Sequence, residues 1–437
     1  MKLAKRMSRL NESLTIAIST RAKELKASGK DVLIFSAGEP DFDTPDVVKN
    51  AVITAMQKGC GKYTPVPGTK EVLEAICTKL KRDNNLSYTP AQVVTNVGAK
   101  QSIFNCLQAL VDEGDEVIIP APYWVSYPEI VGYCGGKSVI INTDESTGFK
   151  MTAEQLKAAI TPRTKVLMIN TVGNPCGGIY LKAELEAIGK VLEGTEIIVL
   201  SDEIYEKLSY DTEPTACASV SEDMFKRTVT INGLSKCAAM PGWRFGYMAS
   251  PISELNAAVK KLQSQSTANI ASIVQAGAIP ALLGQGDEYI AMMKKNFIER
   301  RDYAVNAINA IDGLSVLSPA GAFYLFINCK KVDSDSMRFC TRLLDEKLVA
   351  CVPGVGFGMD GYFRFSFACD LESIKKGCER IAQFVKSYTK DYIKHFYLLG
   401  ILDFLGILEF LNYILGILDF SYRNTRAKKY PKLTKNF

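Results

Sequence analysis

Between about residues 70 and 250, short apolar runs alternate with segments of helical periodicity, and this alternation limits the possible folds more than any other feature of the sequence. The helical pattern includes residues 70–83 and 99–111. The apolar runs read QVVTNVG, EVIIPAP, TKVLMIN, EIIVLSDE, RTVTING and RFGYMAS. Short apolar strands separated by helices are typical of a mostly parallel sheet. The sequence therefore predicts an α/β fold.

The rest of the chain is organised differently. Residues 253–310 have a helical pattern throughout, and residues 311–390 read as a smaller α+β unit with strands AFYLFIN and YFRFSFA and a closing helix. A helical pattern also occupies the first 30 residues or so. At 437 residues the chain is long enough for two or more domains with a large buried core.

Composition excludes several classes of function. Hydrophobic residues at 47% and charged residues at 23% are ordinary for a globular enzyme. The net charge of +5 is mild, and basic and acidic residues alternate through the body, so we expect no nucleic-acid partner. The only histidine, His395, lies outside every motif below, which disfavours histidine triads and histidine zinc sites and predicts no metal.

The cysteines and the N-terminus indicate the compartment. The twelve cysteines form no CxxC pair and no regular framework. The first twenty residues are basic but lack the continuous apolar core of a signal peptide. We therefore expect free thiols and a cytoplasmic location.

Polar residues follow several of the predicted strands. Gly98, Asn174, Asp202 and Lys236 each come just after a strand-like run. Ligands of parallel sheets bind at the carboxyl ends of the strands. One pocket could therefore gather all four residues.

The stretch INGLSKCAAMPGWRFGY places Lys236 in a turn rich in small residues, with Arg244 shortly after it. A lysine amine can form an imine with a carbonyl compound, and burial or a neighbouring cation would lower its pKa and free it to attack. An arginine nearby can hold a dianion. An ordinary surface lysine beside a strand is the alternative interpretation, and the other motifs decide between the two.

Two further motifs indicate a charged ligand. Gly98, Ala99 and Lys100 end a strand and open a helix, where free backbone N–H groups can bind a phosphate, although an ordinary strand–helix turn is equally compatible. Asp202 ends an apolar strand, and a carboxylate there needs a cationic partner such as a protonated pyridine nitrogen.

Three more side chains complete the pattern. Tyr205 could reach a phenolate oxygen, and the Asn174 amide could donate to the same oxygen. Arg364 lies inside the apolar strand YFRFSF, where a guanidinium is costly unless a carboxylate pairs with it. Together these groups fit a phosphorylated pyridine aldehyde joined to lysine, with the carboxylate of an amino acid held opposite.

The motifs AGEPDFDTP, KYTPVPG, VGAKQSIFN, PAPYWVSYPE, GNP, SDEIYE, SKCAAMPGWRFGY, GAFY and FRFSFA occur in this order over residues 1 to about 390. In these motifs the chain resembles the class I aminotransferases of the fold-type-I pyridoxal-phosphate family, and most closely its bacterial aspartate aminotransferases. The resemblance implies a homodimer whose large domain holds a mostly parallel seven-stranded sheet, beside a smaller α+β domain. The implied division is an N-terminal arm with part of the small domain (1–46), the large domain that binds pyridoxal phosphate (47–285), the small domain (286–392) and an atypical tail (393–437).

The resemblance also implies roles for individual residues. Lys236 is implied as the Schiff-base lysine that carries the proton during transfer. The implied cofactor-binding residues are Gly98, Ala99, Lys100, Trp124, Asn174, Asp202, Tyr205 and Arg244, with Tyr63 from the other subunit. The implied substrate-binding residues are Gly38, Trp124, Asn174 and Arg364, with Lys100 and Thr15 at the distal carboxylate. Lys100 as a merely solvated lysine at a helix start stays an alternative.

The implied activity is transfer of the amino group of L-aspartate to 2-oxoglutarate. An aspartate/prephenate or aromatic aminotransferase, a carbon–sulfur lyase of the same fold, and a catalytically silent protein that binds pyridoxal phosphate are the alternatives. The chain has TVGNPCGG where the family usually has SPSNPTG, and AMPGWR in place of AMTGWR. Neither change removes an implied chemical group, but the first could shift substrate preference.

The tail departs from the family. LGILDF occurs twice and LGILEF once between residues 399 and 420, before the basic end RNTRAKKYPKLTKNF. We weigh three interpretations in this order: an unstructured or read-through tail, a helix that packs on a partner or membrane surface, and a membrane anchor. The acids Asp403, Glu409 and Asp419 disfavour the anchor, since each costs roughly 2.5–3.5 kcal/mol near the bilayer centre. Membrane contact through the tail is disfavoured and stays open.

Overall fold

The computed structural model describes residues 3–11 and 14–398, with side chains described for 3–11 and 17–388. The strands are β1 (Leu33–Ile34), β2 (Val93–Val97), β3 (Glu116–Ala121), β4 (Lys137–Asn142), β5 (Thr164–Asn170), β6 (Ile198–Asp202), β7 (Thr228–Gly233), β8 (Phe245–Ala249), β9 (Tyr324–Asn328), β10 (Val349–Ala350), β11 (Val352–Pro353) and β12 (Tyr362–Ser366). Each strand predicted between residues 92 and 250 is present within two residues of its expected ends.

The helices alternate with the central strands. They are α1 (Leu14–Ala27), α2 (Asp46–Gln57), α3 (Lys70–Asn84), α4 (Ala99–Leu110), α5 (Ser126–Cys134), α6 (Ala153–Ala159), α7 (Lys182–Leu192), α8 (Glu222–Arg227), α9 (Ser253–Ser264), α10 (Ser272–Leu282), α11 (Asp287–Asn309), α12 (Ser336–Lys347) and α13 (Leu371–Leu398). Short 3₁₀ helices cover Lys5–Arg9, Pro90–Gln92, Glu145–Thr147, Glu206–Leu208, Cys217–Ser219 and Gly354–Phe357.

The central sheet has seven strands in the order β2-β8-β7-β6-β5-β3-β4. Neighbours from β7 to β4 run parallel, whereas β8 runs antiparallel to both β7 and β2. This arrangement confirms the mostly parallel seven-stranded sheet. Parallel strands need crossover connections, which the intervening helices supply.

Both faces of the central sheet are buried. In β5, Val166 and Met168 pack in one hydrophobic cluster with α4, whereas Leu167 and Ile169 pack in another with α7. Successive side chains of a strand point to opposite faces, so a strand covered by helices on both sides is apolar at every position. This explains the continuous apolar runs in the sequence.

Strand β4 is the one member of this sheet that we did not identify from its residues. It lies at the sheet edge, beside β3, and most of its side chains are exposed or half-buried. An edge strand buries less surface and therefore carries a weaker apolar pattern than a central strand. The seven-strand total came from the family resemblance, not from this segment.

Two smaller sheets follow. Strands β11, β12 and β9 form an antiparallel sheet, and β1 pairs in parallel with β10. All the strands given above lie in one compact unit that ends at Phe384. The domain boundaries implied at residues 46, 285 and 392 stay a prediction.

Of the tail predicted at residues 393–437, residues 393–398 belong to the end of α13. Residues 399–437 lie outside the described residues, as does the side chain of His395. Among the helices of residues 3–11 and 14–398, none has the length and apolar character needed to cross a membrane.

Candidate active site

A cavity of about 350 Å³ lies where the central parallel strands end. It brings together most of the predicted site residues, namely Gly38, Ala99, Lys100, Trp124, Asn174, Asp202, Tyr205, Lys236, Arg244 and Arg364. These residues come from segments far apart in the sequence, so their convergence is a property of the fold. The roles assigned to them remain predictions, but their shared location is now established.

Two predicted residues, Gly98 and Tyr63, are not among the described residues that line this cavity. Gly98 lies directly behind it: its φ is +79°, and a Cβ there would come within 2.6 Å of Arg244 Nη2, so only glycine lets the guanidinium approach this turn. Tyr63 is 93% exposed on the surface of the chain. The side chain of Thr15 lies outside the described residues.

Lys236 follows β7 and extends into the cavity. Its Nζ donates a hydrogen bond to the carbonyl oxygen of Gly38 and lies 5.8 Å from the centre of the Tyr205 ring. Burial, and then the positive charge of Arg364, lowers the pKa of the Lys236 amine to about 8. A substantial fraction of the amine is therefore neutral and nucleophilic near neutral pH.

Asp202 is the last residue of β6 and is 5% exposed. Its Oδ2 accepts a hydrogen bond of 2.7 Å from the hydroxyl of Tyr127, and its Oδ1 accepts from the backbone N–H of Ile204. Burial raises the pKa of the carboxyl, while these two hydrogen bonds lower it. Within the described part of the chain no ion pair neutralises this carboxylate, so it can receive a cationic N–H from a ligand.

Arg364 lies in β12 and is 3% exposed. Its Nη1 donates to Asn174 Oδ1 and its Nη2 to the Ser36 carbonyl, each at 3.0 Å, whereas its buried Nε has no partner. Both acceptors are neutral, and among the described residues no carboxylate pairs with the guanidinium. A buried arginine with spare donors is suited to bind the carboxylate of a ligand.

A second positively charged part of the cavity wall lies at the start of α4. Helix α4 begins at Ala99 with Gly98 as its N-cap, and a helix start carries free N–H groups and a partial positive charge. Arg244 lies against this helix start. Lys100 Nζ lies 4.8 Å from the centre of the Trp124 ring, and burial, followed by the charge of Arg244, lowers the pKa of Lys100. This part of the wall can hold a dianion such as a phosphate.

Several site residues were not predicted. Two of them are tyrosines inside the motifs PAPYWVSYPE and GAFY, to which no role was assigned. Tyr127 donates a hydrogen bond to Asp202, and the hydroxyl of Tyr324 lies 2.8 Å from that of Tyr205. Asn170 ends β5, accepts from the Asn174 backbone N–H and donates to the Asp202 carbonyl oxygen. Asn170 is a polar residue at the end of an apolar strand, as Asp202 is, and this position could have identified it as a site residue. The remaining unpredicted lining residues are Ile103, Val125, Ser126, Ile204, Ser235 and Pro241.

The cavity thus offers a nucleophilic amine, a carboxylate for a cationic nitrogen, an anion site at a helix start and an arginine for a carboxylate. A parallel sheet with this set at its carboxyl edge is suited to hold an anionic carbonyl compound beside a lysine amine.

Comparison with known proteins identifies the family. Residues 30–381 match the sequence family described as Aminotransferase class I and II, and the chain belongs to this family. The chain is 45% identical over 397 residues to an aspartate aminotransferase of Geobacillus stearothermophilus, a match covering 89% of this chain and 100% of the relative. It is 44% identical over 395 residues to an aspartate/prephenate aminotransferase of Cereibacter sphaeroides, covering 87% and 98%.

Solved structures of aspartate aminotransferases have the same fold as this chain. The crystal structure of the aspartate aminotransferase from Rhizobium meliloti superposes with a TM-score of 0.85 at 42% identity, covering 88% of this chain and 99% of that one. An aspartate aminotransferase from Thermus thermophilus with maleate gives a TM-score of 0.85 at 39% identity, with the same coverage. The predicted fold class is therefore confirmed.

Proposed function

We propose that the chain is a pyridoxal-phosphate-dependent aspartate aminotransferase that transfers the amino group of L-aspartate to 2-oxoglutarate. One observation carries the proposal: the Lys236 amine, the Asp202 carboxylate and the Arg364 guanidinium are charged groups that face one cavity without an ion-pair partner among the described residues. Buried charges are costly unless a ligand compensates them. Relatives that bear this activity in their names share more than 40% of their residues with the chain.

The residues fit pyridoxal phosphate. Arg244 and the N–H groups at the start of α4 would hold its phosphate, and Gly98 leaves the space for that guanidinium. Asp202 would accept a hydrogen bond from the ring nitrogen, Tyr205 and Asn174 would donate to the ring oxygen, and Trp124 would stack on the ring. When bound, the cofactor supplies an electron sink for the carbanion at the amino acid Cα.

The chain's own residues then perform the transfer. Lys236 would hold the cofactor through its amine and, once released from it, move the proton at the substrate Cα. Arg364, with Gly38 and Asn174, would fix the α-carboxylate and so orient that proton towards Lys236. The Gly38 carbonyl already accepts a hydrogen bond from the Lys236 amine, which supports this closeness.

An acidic side chain of the substrate would be recognised by Lys100, with help from Thr15. Lys100 lines the cavity, and its Nζ lies 4.8 Å from the centre of the Trp124 ring. The residue is also exposed to solvent, so a solvated lysine at the helix start stays the alternative. A cation here selects substrates with a second carboxylate.

Replacing Lys100 by alanine is expected to raise KM for aspartate by about tenfold or more and to leave KM for phenylalanine nearly unchanged, because only aspartate has a distal carboxylate. The measurement is the steady-state kinetics of both amino donors. Lys100→Arg, which keeps the charge, is the matched control and should retain most of the preference. An equal rise of KM for both donors would remove the basis for acidic specificity.

The cofactor-free protein is expected to combine with pyridoxal phosphate faster as pH rises, with a midpoint near the Lys236 pKa of about 8. Only the neutral amine attacks a carbonyl, and an ordinary lysine would be half neutral only above about pH 10. Absorbance-monitored rates across about pH 6 to 10 test this, with a free lysine derivative as control for titration of the aldehyde. A midpoint as high as that of the free lysine would contradict a buried, activated amine.

We also propose a homodimer in which Tyr63 reaches the phosphate of the partner's site. The nearly complete exposure of Tyr63 supports this proposal, since a tyrosine rarely leaves so much apolar surface in water. A cytoplasmic location is proposed from the twelve cysteines, all of which are free thiols.

An aspartate/prephenate aminotransferase is the second candidate, favoured by the relative from Cereibacter sphaeroides that carries this name. The two candidates share the cofactor site and differ in the acceptor. Assays with prephenate in place of 2-oxoglutarate separate them.

A further inference from the structure

Tyr324 is a buried tyrosine of the cavity wall with no role in the chemistry described above. It is the first residue of β9 and has no solvent exposure, yet it lines the cavity. Two predicted site residues, Tyr205 and Arg364, are its neighbours. The hydroxyl lies 2.8 Å from the hydroxyl of Tyr205, and the Cζ of Arg364 lies 4.3 Å from the centre of the Tyr324 ring.

The strand pairing produces both contacts. β9 runs antiparallel to β12, and Tyr324 pairs with Ser366, two residues beyond Arg364 in β12. Residues two apart on a strand share a face, which places the guanidinium on the same side of the sheet as the ring. A Cβ on Gly38 would lie 3.4 Å from the Tyr324 hydroxyl, so this hydroxyl also lies against the loop whose carbonyl accepts from Lys236.

We propose that Tyr324 is a positioning residue: its hydroxyl donates to Tyr205 and thereby directs the Tyr205 hydrogen into the cavity, and its ring fixes the plane of the Arg364 guanidinium. The inference deepens the proposed function and rests on it. In this role Tyr324 acts through Tyr205, the group for the cofactor ring oxygen, and through Arg364, the group for the substrate carboxylate.

The hydrogen count supports the direction of donation. A phenol hydroxyl has one hydrogen, so Tyr205 can donate either to Tyr324 or to a ligand. When a ligand oxygen lies in the cavity, donation from Tyr324 satisfies the Tyr205 oxygen and strengthens its O–H as a donor. A phenylalanine at position 324 would leave the Tyr205 hydroxyl without this partner.

The ring acts separately from the hydroxyl. A guanidinium over an aromatic face gains cation–π attraction and cannot rotate out of its plane without losing it. Arg364 also lies 5.1 Å from the ring centre of Phe357, so two aromatic rings confine it. Its two hydrogen bonds to Asn174 and Ser36 use one hydrogen on each Nη, which leaves further guanidinium hydrogens for a ligand.

The test uses the protein loaded with pyridoxal phosphate and four variants: Tyr324→Phe, Tyr205→Phe, the double variant and Tyr324→Leu. The first readout is the pH midpoint at which the absorbance of the lysine-bound cofactor changes. Loss of a donor to an anionic ring oxygen destabilises the deprotonated form, so Tyr205→Phe raises the midpoint. Tyr324→Phe is expected to raise it by a smaller amount, and the double variant to match Tyr205→Phe alone.

The second readout is the dissociation constant of maleate, a dicarboxylate that engages the carboxylate sites. Tyr324→Phe keeps the ring, so the dissociation constant of maleate should stay within about twofold of the wild-type value. Tyr324→Leu removes the ring and should raise that constant by about fivefold. Tyr210 is the matched control: it is half-buried, its hydroxyl donates to the Ala322 carbonyl, and its ring lies 5.0 Å from the Arg301 Cζ. It is not among the described residues that line the cavity. Tyr210→Phe should change neither readout.

The outcomes distinguish failure of the role proposed for Tyr324 from failure of the proposed function. Cofactor absorbance with an unshifted midpoint in Tyr324→Phe, or a double variant whose shift is the sum of the single shifts, overturns the role of the hydroxyl. Unchanged maleate binding in Tyr324→Leu overturns the role of the ring. A wild-type protein without any cofactor absorbance overturns the proposed function, and the inference with it.

Discussion

Replacing Lys236 by alanine is expected to lower the rate of aspartate transamination by about 10⁴-fold or more. The substitution removes both the amine that would hold the cofactor and the group that would move the proton at the substrate Cα. No other lysine amine among the described lining residues can substitute, because the remaining one, Lys100, lies over Trp124 at the start of α4. Single-turnover and steady-state rates with purified protein measure the effect.

Lys226→Ala is the matched control for this substitution. Lys226 lies in α8, its side chain is 68% exposed, and its one salt bridge within the described residues is to its helix neighbour Glu222. Its loss should therefore leave the rate unchanged. Circular dichroism of both variants checks that the fold is retained. Transamination at the wild-type rate in Lys236→Ala would show that the mechanism is wrong.

Replacing Arg364 by lysine is expected to lower kcat/KM for aspartate by about 10²-fold or more. Lysine keeps the charge but loses the planar fork, which now donates to Asn174 and Ser36 and still has a free Nε. A shorter point charge cannot satisfy those acceptors and a ligand carboxylate together. The affinity for maleate should fall in parallel with kcat/KM.

Arg301→Lys provides the control for a buried arginine. Arg301 is buried like Arg364, at 5% against 3% exposed, but it already pairs with Asp211 and Asp302. Its replacement should lower stability and leave kcat/KM within about twofold, since it has no ligand to bind. If Arg364→Lys behaved in the same way, the carboxylate site would have to lie elsewhere.

The sequence alone identified charged residues whose burial costs free energy unless a ligand or partner pairs with them. Asp202 ends a buried strand and Arg364 interrupts one, and charges in such places require a partner whatever the rest of the fold. Lys236 follows a third strand. Because the carboxyl ends of parallel strands meet at one edge, strand assignment predicted a shared pocket for Asn174, Asp202 and Lys236. Gly38 and Trp124 came from the family resemblance instead.

Other parts of the site could not be read from the chain. Tyr127 and Tyr324 are buried tyrosines, and a buried tyrosine in sequence has the pattern of an ordinary core residue. Their roles depend on partners 75 and 119 residues away, which only the tertiary structure brings close. Strand β4 was missed because an edge strand is only half apolar.

The absorbance spectrum of the purified protein, before and after addition of aspartate, tests the proposed function most directly. We expect a band of lysine-bound pyridoxal phosphate that disappears on addition of aspartate, with release of oxaloacetate and appearance of the amino form of the cofactor. A band that ignores aspartate but responds to other amino acids would keep the aminotransferase and discard aspartate as its donor. Absence of any band, even after pyridoxal phosphate is added, would contradict the proposed function altogether.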